Sequence, residues 1–359
     1  MKREWSTVRS MWFSAGAHDP RLPTAGFDFD STLRPYCKRG PPEELTLRFL
    51  AALSAAFNIV IVSNRSAASL GALAPIREYV AALDAVTSGL ASICAPTARD
   101  RDRKPHTGAW EHYVGSVCKG AAPWFSFFCG DAAGRPGDHS AADYMFALNI
   151  GAAFVTPEAL FEGGGEPWAP DGWNAPLPGA LMRPAPQTPL EQLIANPAAR
   201  NCVLLVGSPA SGKSRLARRL AERGFAVVSR DVQGSRAESA FASALARGEN
   251  VVVDNTHPLL RDRALAVGKA LQAPMGYEIT VCHVDTPKDV CFHLNAARCQ
   301  LDPTGRTKEV PPVALHCYWK RLELPGAGDA ALGARVVVVP FALDAGAPPE
   351  VVAFRYPLS

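Results

Sequence analysis

The chain has 359 residues, 48% hydrophobic and 20% charged, a composition that excludes a disordered or fibrous protein and leaves room for two or three domains. Thirty-seven Lys and Arg against 34 Asp and Glu give a formal charge of +3, too small to establish a nucleic-acid partner on charge alone. Nine scattered cysteines without paired C-x-x-C spacing argue for reduced thiols in an intracellular protein, against a disulfide framework or a cysteine zinc site. No apolar run approaches membrane-spanning length, and MKREWSTVRSMWF lacks the apolar centre of a secretion signal; the expectation is no membrane attachment.

In chain order, residues 1 to about 20 are short and mixed. AGFDFDSTL from Ala25 reads as a strand ending in a loop with two carboxylates, and Glu43 to Phe57 carries apolar residues at helical spacing. NIVIVSN (58–64) is a buried strand followed by an alanine-rich helical stretch, and about Val86 to Cys94 is expected to be a third strand. Thr107 to Cys118 reads as helix, WFSFFCGD (124–131) as a strand entering an acidic turn, and FALNIGAAF (146–154) closes the half. Alternating strands and helices imply a mainly parallel sheet, with chemistry at the carboxyl ends of its strands. Asp28, Asp30, Ser63 and Asp131 all fall at such ends.

Between Phe161 and about Ala199 proline and glycine crowd the sequence and oppose both helix and strand. This predicts a first domain over 1–164, a linker over 165–197 packed through Trp168 and Trp173, and a second domain over 198–359. The second half opens on VLLVGSPASGKS (203–214), which fits G-x-x-x-x-G-K-[ST], with a strand before it and the helix RLARRLAERG after it. Gly207 and Gly212 allow backbone N–H groups, including that of Ser208, to converge on a polyphosphate at a helix N-terminus. Lys213 would reach the β- and γ-phosphates, and the Ser214 hydroxyl would hold Mg²⁺. A glycine turn before a surface helix is the plainer reading, and it leaves Lys213 and Ser214 unexplained. Strands at 225–229, 250–254, 277–284 and near Val336 alternate with helices at 237–247, 259–271, 287–301 and 310–322. That layout suits a nucleoside-monophosphate-kinase-like α/β domain whose 287–322 region covers the nucleotide. The basic clusters Arg99, Arg101, Arg103, Lys104 and Arg215, Arg218, Arg219, Arg223 fit a phosphate-binding face or a solvated one.

In the first half, FDFDSTL (27–33) is a D-x-D-x-T signature. Two carboxylates two residues apart at a strand end share one pocket, one suited to attack phosphorus beside a metal and the other to carry protons. Ser63 could bond a transferring phosphoryl group, Lys104 in RKPHTGAW could neutralise it, and Asp131 in CGDAAGRP could bind metal. Together these resemble the haloacid-dehalogenase superfamily. FCGDAAGRPGDHSAADYMFALNIGAAFVTPEALF, with RKPHTGAWEHY upstream, resembles the 3′-phosphatase half of the eukaryotic polynucleotide kinase 3′-phosphatase family. VLLVGSPASGKS, VVSRDVQGSR, VVVDNTHPLLRDRA and HLNAARCQL are similar to that family's 5′-kinase half, in the same order, so the resemblance spans roughly residues 24–340.

The resemblance implies two α/β domains, a haloacid-dehalogenase-like Rossmannoid phosphatase and a P-loop kinase. By position, Asp28 would be the nucleophile and Asp30 the general acid and base. Asp28, Asp131 and the Asp30 carbonyl would hold Mg²⁺, with Ser63 and Lys104 binding phosphate. Asp143 would orient that shell or merely cap a helix, and Arg135 would touch DNA phosphate or form an ion pair. In the kinase half Asp231 matches the general base, a helix cap being its plainer reading; Asp254 resembles a Walker-B carboxylate and Arg298 a lid arginine at ATP. The implied cofactors are Mg²⁺ and ATP. The implied partners are DNA ends bearing 3′-phosphate and 5′-hydroxyl, then a ligase or repair scaffold, for an intracellular, nuclear monomer.

Three departures qualify the match: Ser31 replaces a usual glycine, RSAASLG (65–71) replaces a glycine-rich stretch, and Ala296 stands where members often carry a second lid arginine. The forkhead-associated module of vertebrate members is not seen, so recruitment by that route is not expected. Rival readings are a 3′-phosphatase whose degenerate kinase half only binds DNA, and an enzyme healing RNA ends, which a 2′-hydroxyl would distinguish.

Overall fold

The computed structural model describes residues 3–34, 44–65, 70–87, 89, 91–161, 178–182, 185–343 and 346–356. Part of the expected linker (165–177, 183 and 184, with Trp168 and Trp173) and residues 66–69 of the RSAASLG stretch lie outside them. The chain forms two compact units. The first gathers Met1–Pro176, Ala296–Glu309 and Pro349–Pro357; the second is built from Leu177–Asn295 and Val310–Pro348, with Leu358–Ser359. The sequence-based boundary ran the second domain unbroken to Ser359. Instead, two later segments return to the first unit.

The first unit holds a seven-stranded sheet. Its strands are β1 (Ser6–Val8), β2 (Met11–Ser14), β3 (Thr24–Phe27), β4 (Asn58–Val62), β5 (Ala91–Pro96), β6 (Ser126–Cys129) and β7 (Ala153–Val155), in the order β1-β2-β5-β4-β3-β6-β7. The β1–β2 hairpin, unassigned from sequence, adds antiparallel to β5, and the remaining pairs are parallel. Every residue of β3, β4 and β5 is buried, as expected where helices cover both faces. Successive side chains alternate between those faces. Ile59 and Ile61 pack with Leu50, Ile76 and Leu83 from the helices Glu44–Leu53 and Leu70–Thr87. Val60 and Val62 pack with Tyr113 and Phe146 from Gly108–Ser116 and Ala142–Ile150. The expected strand at 86–94 needs correction: Val86 and Thr87 end a helix, and β5 begins only at Ala91. Thr87 Oγ1 donates to the Leu83 carbonyl at 2.8 Å, extending helical bonding through its last turn.

The second unit has a five-stranded, wholly parallel sheet. It comprises β8 (Asn201–Val206), β9 (Ala226–Ser229), β10 (Val251–Asp254), β11 (Glu278–Asp285) and β12 (Arg335–Pro340), ordered β12-β11-β8-β10-β9. Leu204 and Val206 meet Phe241, Leu245 and Val267 on one face, while Val203 and Leu205 meet Leu216 and Leu220 on the other. Both sheets place the first βα strand (β3, β8) between neighbours reached in opposite directions, so each has a switch point where loops part and leave a crevice. Among the described residues no helix is long and apolar enough to cross a membrane.

Candidate active sites

In the first unit β3 delivers Asp28, and Asp131 follows β6 by one glycine, on the two sides of the switch point. The Asp28 N–H donates to the Cys129 carbonyl at 2.8 Å, extending the parallel pairing one residue and fixing where its side chain starts. Carboxylate oxygens of Asp28, Asp131 and Asp143 lie within 4.8 Å of one another. Lys104 bridges two of them, pairing with Asp28 and, at 2.7 Å, with Asp143. Burial pushes the Asp28 carboxyl up to about 7, opposed by Lys104 and reinforced by Asp143. Burial also raises Asp131, with Asp143 adding to it. For Lys104 burial acts downward, but Asp143 and Asp28 outweigh it and hold the ammonium above its ordinary value. One ammonium against three carboxylates leaves the cluster anionic, a donor set of hard oxygens that suits a divalent cation such as Mg²⁺.

Asp143 stands in the first turn of its helix, yet Oδ2 accepts the Ala132 N–H at 3.1 Å and Oδ1 meets Lys104. Its carboxylate thus faces the acidic cluster, and Ala141 occupies the cap position. Gly130 makes this approach possible, since a Cβ there would lie 2.5 Å from the Asp143 carboxyl carbon. Asp30 is half-exposed and paired with Arg65, which also donates to Ser63 Oγ at 3.3 Å. Sequence reasoning named Asp30 and Ser63 but missed the arginine between them. It also missed Asn64, whose Oδ1 accepts the Lys104 N–H (2.9 Å) and whose Nδ2 donates to the Lys104 carbonyl (3.0 Å). Ser31 adopts φ +61°, a conformation for which glycine is the natural residue. Arg135 pairs with Asp138 at 3.0 Å and Glu158 at 3.2 Å, the ion-pair alternative in geometric form.

In the second unit the loop after β8 turns through Ala210 (φ +61°) and Gly212 (φ +96°) into the helix Lys213–Ala221. A Cβ at Gly207 would fall 2.6 Å from Ser211 Oγ and 3.2 Å from the Val284 carbonyl, so the backbone is tightly folded there. Lys213 is buried and donates from Nζ to the Ser208 carbonyl at 2.7 Å. Burial lowers it to about 8, against the pull of Asp254, Cys291 and Asp231. Asp231 lies exposed in the first turn of Arg230–Gln233, where the Ser229 N–H is taken by Gln233 Oε1 at 3.0 Å, so Gln233 does the capping. Behind the loop the Thr256 carbonyl accepts the Gly207 N–H, and buried His257 places Nδ1 2.9 Å from the Leu205 carbonyl. Arg263, absent from the sequence reading, ties this segment down through the His257 carbonyl (3.2 Å) and a buried pair with Asp329 at 2.6 Å. A cavity of about 190 Å³ opens beside Gly212, walled by Leu216, Val339 and Phe341 with Arg215 and Arg219 among its lining. Arg298 is counted in the first unit, where Nη2 donates to the Lys308 carbonyl at 3.1 Å.

The chain is similar in sequence to several known proteins. The family described as polynucleotide kinase 3 phosphatase matches residues 42–161. A bifunctional polynucleotide phosphatase/kinase of Schizosaccharomyces pombe is 31% identical over 237 residues, 64% of this chain and 55% of its own length. A protein of Acanthamoeba polyphaga mimivirus, named provisionally for the same two activities, is 26% identical over 355 residues, covering 86% of this chain and 82% of its own. The polynucleotide 3′-phosphatase ZDP of Arabidopsis thaliana is 45% identical over 64 residues, 17% of this chain and 9% of its own. The chain thus spans about half the length of the fission-yeast relative. The family match covers Ser63, Lys104, Asp131 and Asp143, and the mimivirus relative spans most of the chain, so the chain is similar to the polynucleotide kinase 3′-phosphatase family.

Proposed function

We propose that this protein heals broken DNA ends, removing a 3′-phosphate in the first unit and phosphorylating a 5′-hydroxyl from ATP in the second. The observation that carries it is Lys104 held between Asp28 and Asp143, with Asp131 alongside, at a sheet switch point. Asp28, Asp131 and Asp143 have the oxygens to hold Mg²⁺, which would supply charge compensation for the phosphoryl group. Asp28 attacks phosphorus; the new Oδ–P bond forms as the bond to the 3′-oxygen breaks, and Asp30 gives that oxygen its proton. Water then attacks the same phosphorus, Asp30 takes its proton, and the Oδ–P bond of the aspartyl phosphate breaks to return Asp28. Lys104 and Ser63 neutralise and position the phosphoryl oxygens. Asp143 keeps Lys104 in place.

In the second unit the loop 207–214 holds the nucleotide phosphates, with Ser214 as the hydroxyl for Mg²⁺ and Asp254 near it. Asp231 accepts the proton of the 5′-hydroxyl as its oxygen bonds to the γ-phosphorus and ADP leaves. The cavity beside Gly212 suits the base and ribose of ATP. Such an enzyme acts in the nucleus and delivers its product to a ligase. The test is a nicked duplex carrying 3′-phosphate and 5′-hydroxyl, with and without ATP. Asp28→Ala should abolish only phosphate release and Lys213→Ala only the ATP-dependent transfer. Loss of both activities in both variants would defeat the two-site reading, and preference for a matched RNA end would defeat the choice of DNA.

A further inference from the structure

Lys104 is carried by an irregular stretch, not by a strand or helix; Asn64 holds its backbone, and two distant segments of the chain hold the residues that follow it. From 296–309, Gln300 Oε1 accepts the Thr107 N–H at 2.9 Å, and Nε2 donates to Thr107 Oγ1 (2.7 Å) and Glu111 Oε1 (3.0 Å). Glu309 Oε1 lies 2.8 Å from His106 Nε2, and its N–H donates to the Arg99 carbonyl at 3.1 Å. From 349–357, the Arg355 N–H donates to Asn149 Oδ1 (2.7 Å), while Asn149 Nδ2 donates to the Pro105 carbonyl (2.9 Å). The Tyr356 ring sits 5.1 Å from that of His106. Each residue from Pro105 to Thr107 is therefore anchored from far along the sequence. His106, Thr107 and Gln300 are all buried, so water is poorly placed to substitute for a lost partner.

We propose that Gln300 and Glu309 are positioning residues for 3′-phosphate removal. They fix Pro105–Thr107 and, through it, the Nζ of Lys104 between Asp28 and Asp143. This inference rests on the acidic site being the phosphatase. Residues that the sequence places in the kinase half thus serve the other reaction.

The experiment uses the full chain and measures three quantities on each preparation: 3′-phosphate release, 5′-hydroxyl phosphorylation and melting temperature. Gln300→Leu and Glu309→Leu should each lower phosphatase kcat about tenfold or more, the scale set by sub-ångström to ångström misplacement of a catalytic group, with KM nearly unchanged. Gln300→Asn, shorter by one methylene, should fall between. Glu309→Gln keeps an acceptor for His106 Nε2 and should restore kcat to within about twofold. Kinase rates should stay at the wild-type level throughout. Leucine variants with wild-type phosphatase kcat would overturn the proposal, as would parallel loss of both activities with melting temperature. Equal damage from Glu309→Gln and Glu309→Leu would also overturn it. A wild-type chain that releases no 3′-phosphate would instead defeat the phosphatase reading beneath it.

Discussion

Gly130→Ala is the sharpest test of the acidic cluster. The added Cβ would lie 2.5 Å from the Asp143 carboxyl carbon and 2.6 Å from its Cβ, where ordinary contact begins at 3.4 Å. Asp143 must retreat by about 1 Å, because non-bonded carbons settle near 3.5–4.0 Å. Such a retreat stretches its 2.7 Å contact with Lys104 beyond hydrogen-bonding range. Gly130 is not among the residues with positive φ, so alanine meets no backbone penalty and the effect is confined to this collision. Overpacking of this kind costs about 1–3 kcal/mol of stability, while a misplacement near 1 Å costs on the order of 10²-fold in rate. The assay is steady-state release of 3′-phosphate from an oligonucleotide, with the melting transition of the first unit on the same sample reporting whether that unit is folded. Expected is roughly a hundredfold drop in phosphatase kcat/KM with kinase turnover retained. Wild-type phosphatase activity in Gly130→Ala would refute the idea that Asp143 works from its observed position.

Other changes probe the second unit. Asp231→Asn should lower kinase kcat by about 10²–10⁴-fold, the usual contribution of a general base, while leaving ATP affinity unchanged in an equilibrium binding titration. Arg263→Met removes one partner of a buried pair with Asp329 and should cost about 3–5 kcal/mol in chemical denaturation, read on the transition of the second unit. His257 provides a pH signature: burial lowers its pKa, with its bond to the Leu205 carbonyl opposing that shift. The unfolded chain then protonates first as pH falls below about 6.5, so stability is lost from there down to the folded pKa and changes no further below it. His257→Asn, tolerable at φ +41° because Asn visits that region, should flatten the difference in denaturation midpoint between pH 7.5 and 5.5. An unchanged slope would remove His257 as its source.

What could be read from sequence was what is local. The P-loop declares itself in consecutive residues, and Asp28 with Asp30 lies two apart, so their closeness follows from spacing at a strand end. The parallel sheets were legible because β4 and β8 are continuous apolar runs. The position of β5 was not, because Val86 and Thr87 are β-branched yet finish a helix that Leu83 anchors in the core. Asp143 stayed ambiguous between cap and cluster because one residue type suits both, and only the approach across Gly130 distinguishes them. Arg65, Asn64, Gln300 and Glu309 carry no motif. Their partners are set by tertiary folding, across separations of up to 203 residues for His106 and Glu309.

The return of 296–309 and 349–357 to the first unit bears on how the two units can be inherited. Enzymes encoded as consecutive blocks can be exchanged by one recombination event in the intervening DNA. Here a breakpoint after residue 164 would strand Gln300, Glu309 and Tyr356 on the other gene product, leaving the first unit without the residues that back Pro105–Thr107. Selection would then keep the pair travelling together, and a laboratory fragment cut at the apparent boundary would inherit the same defect.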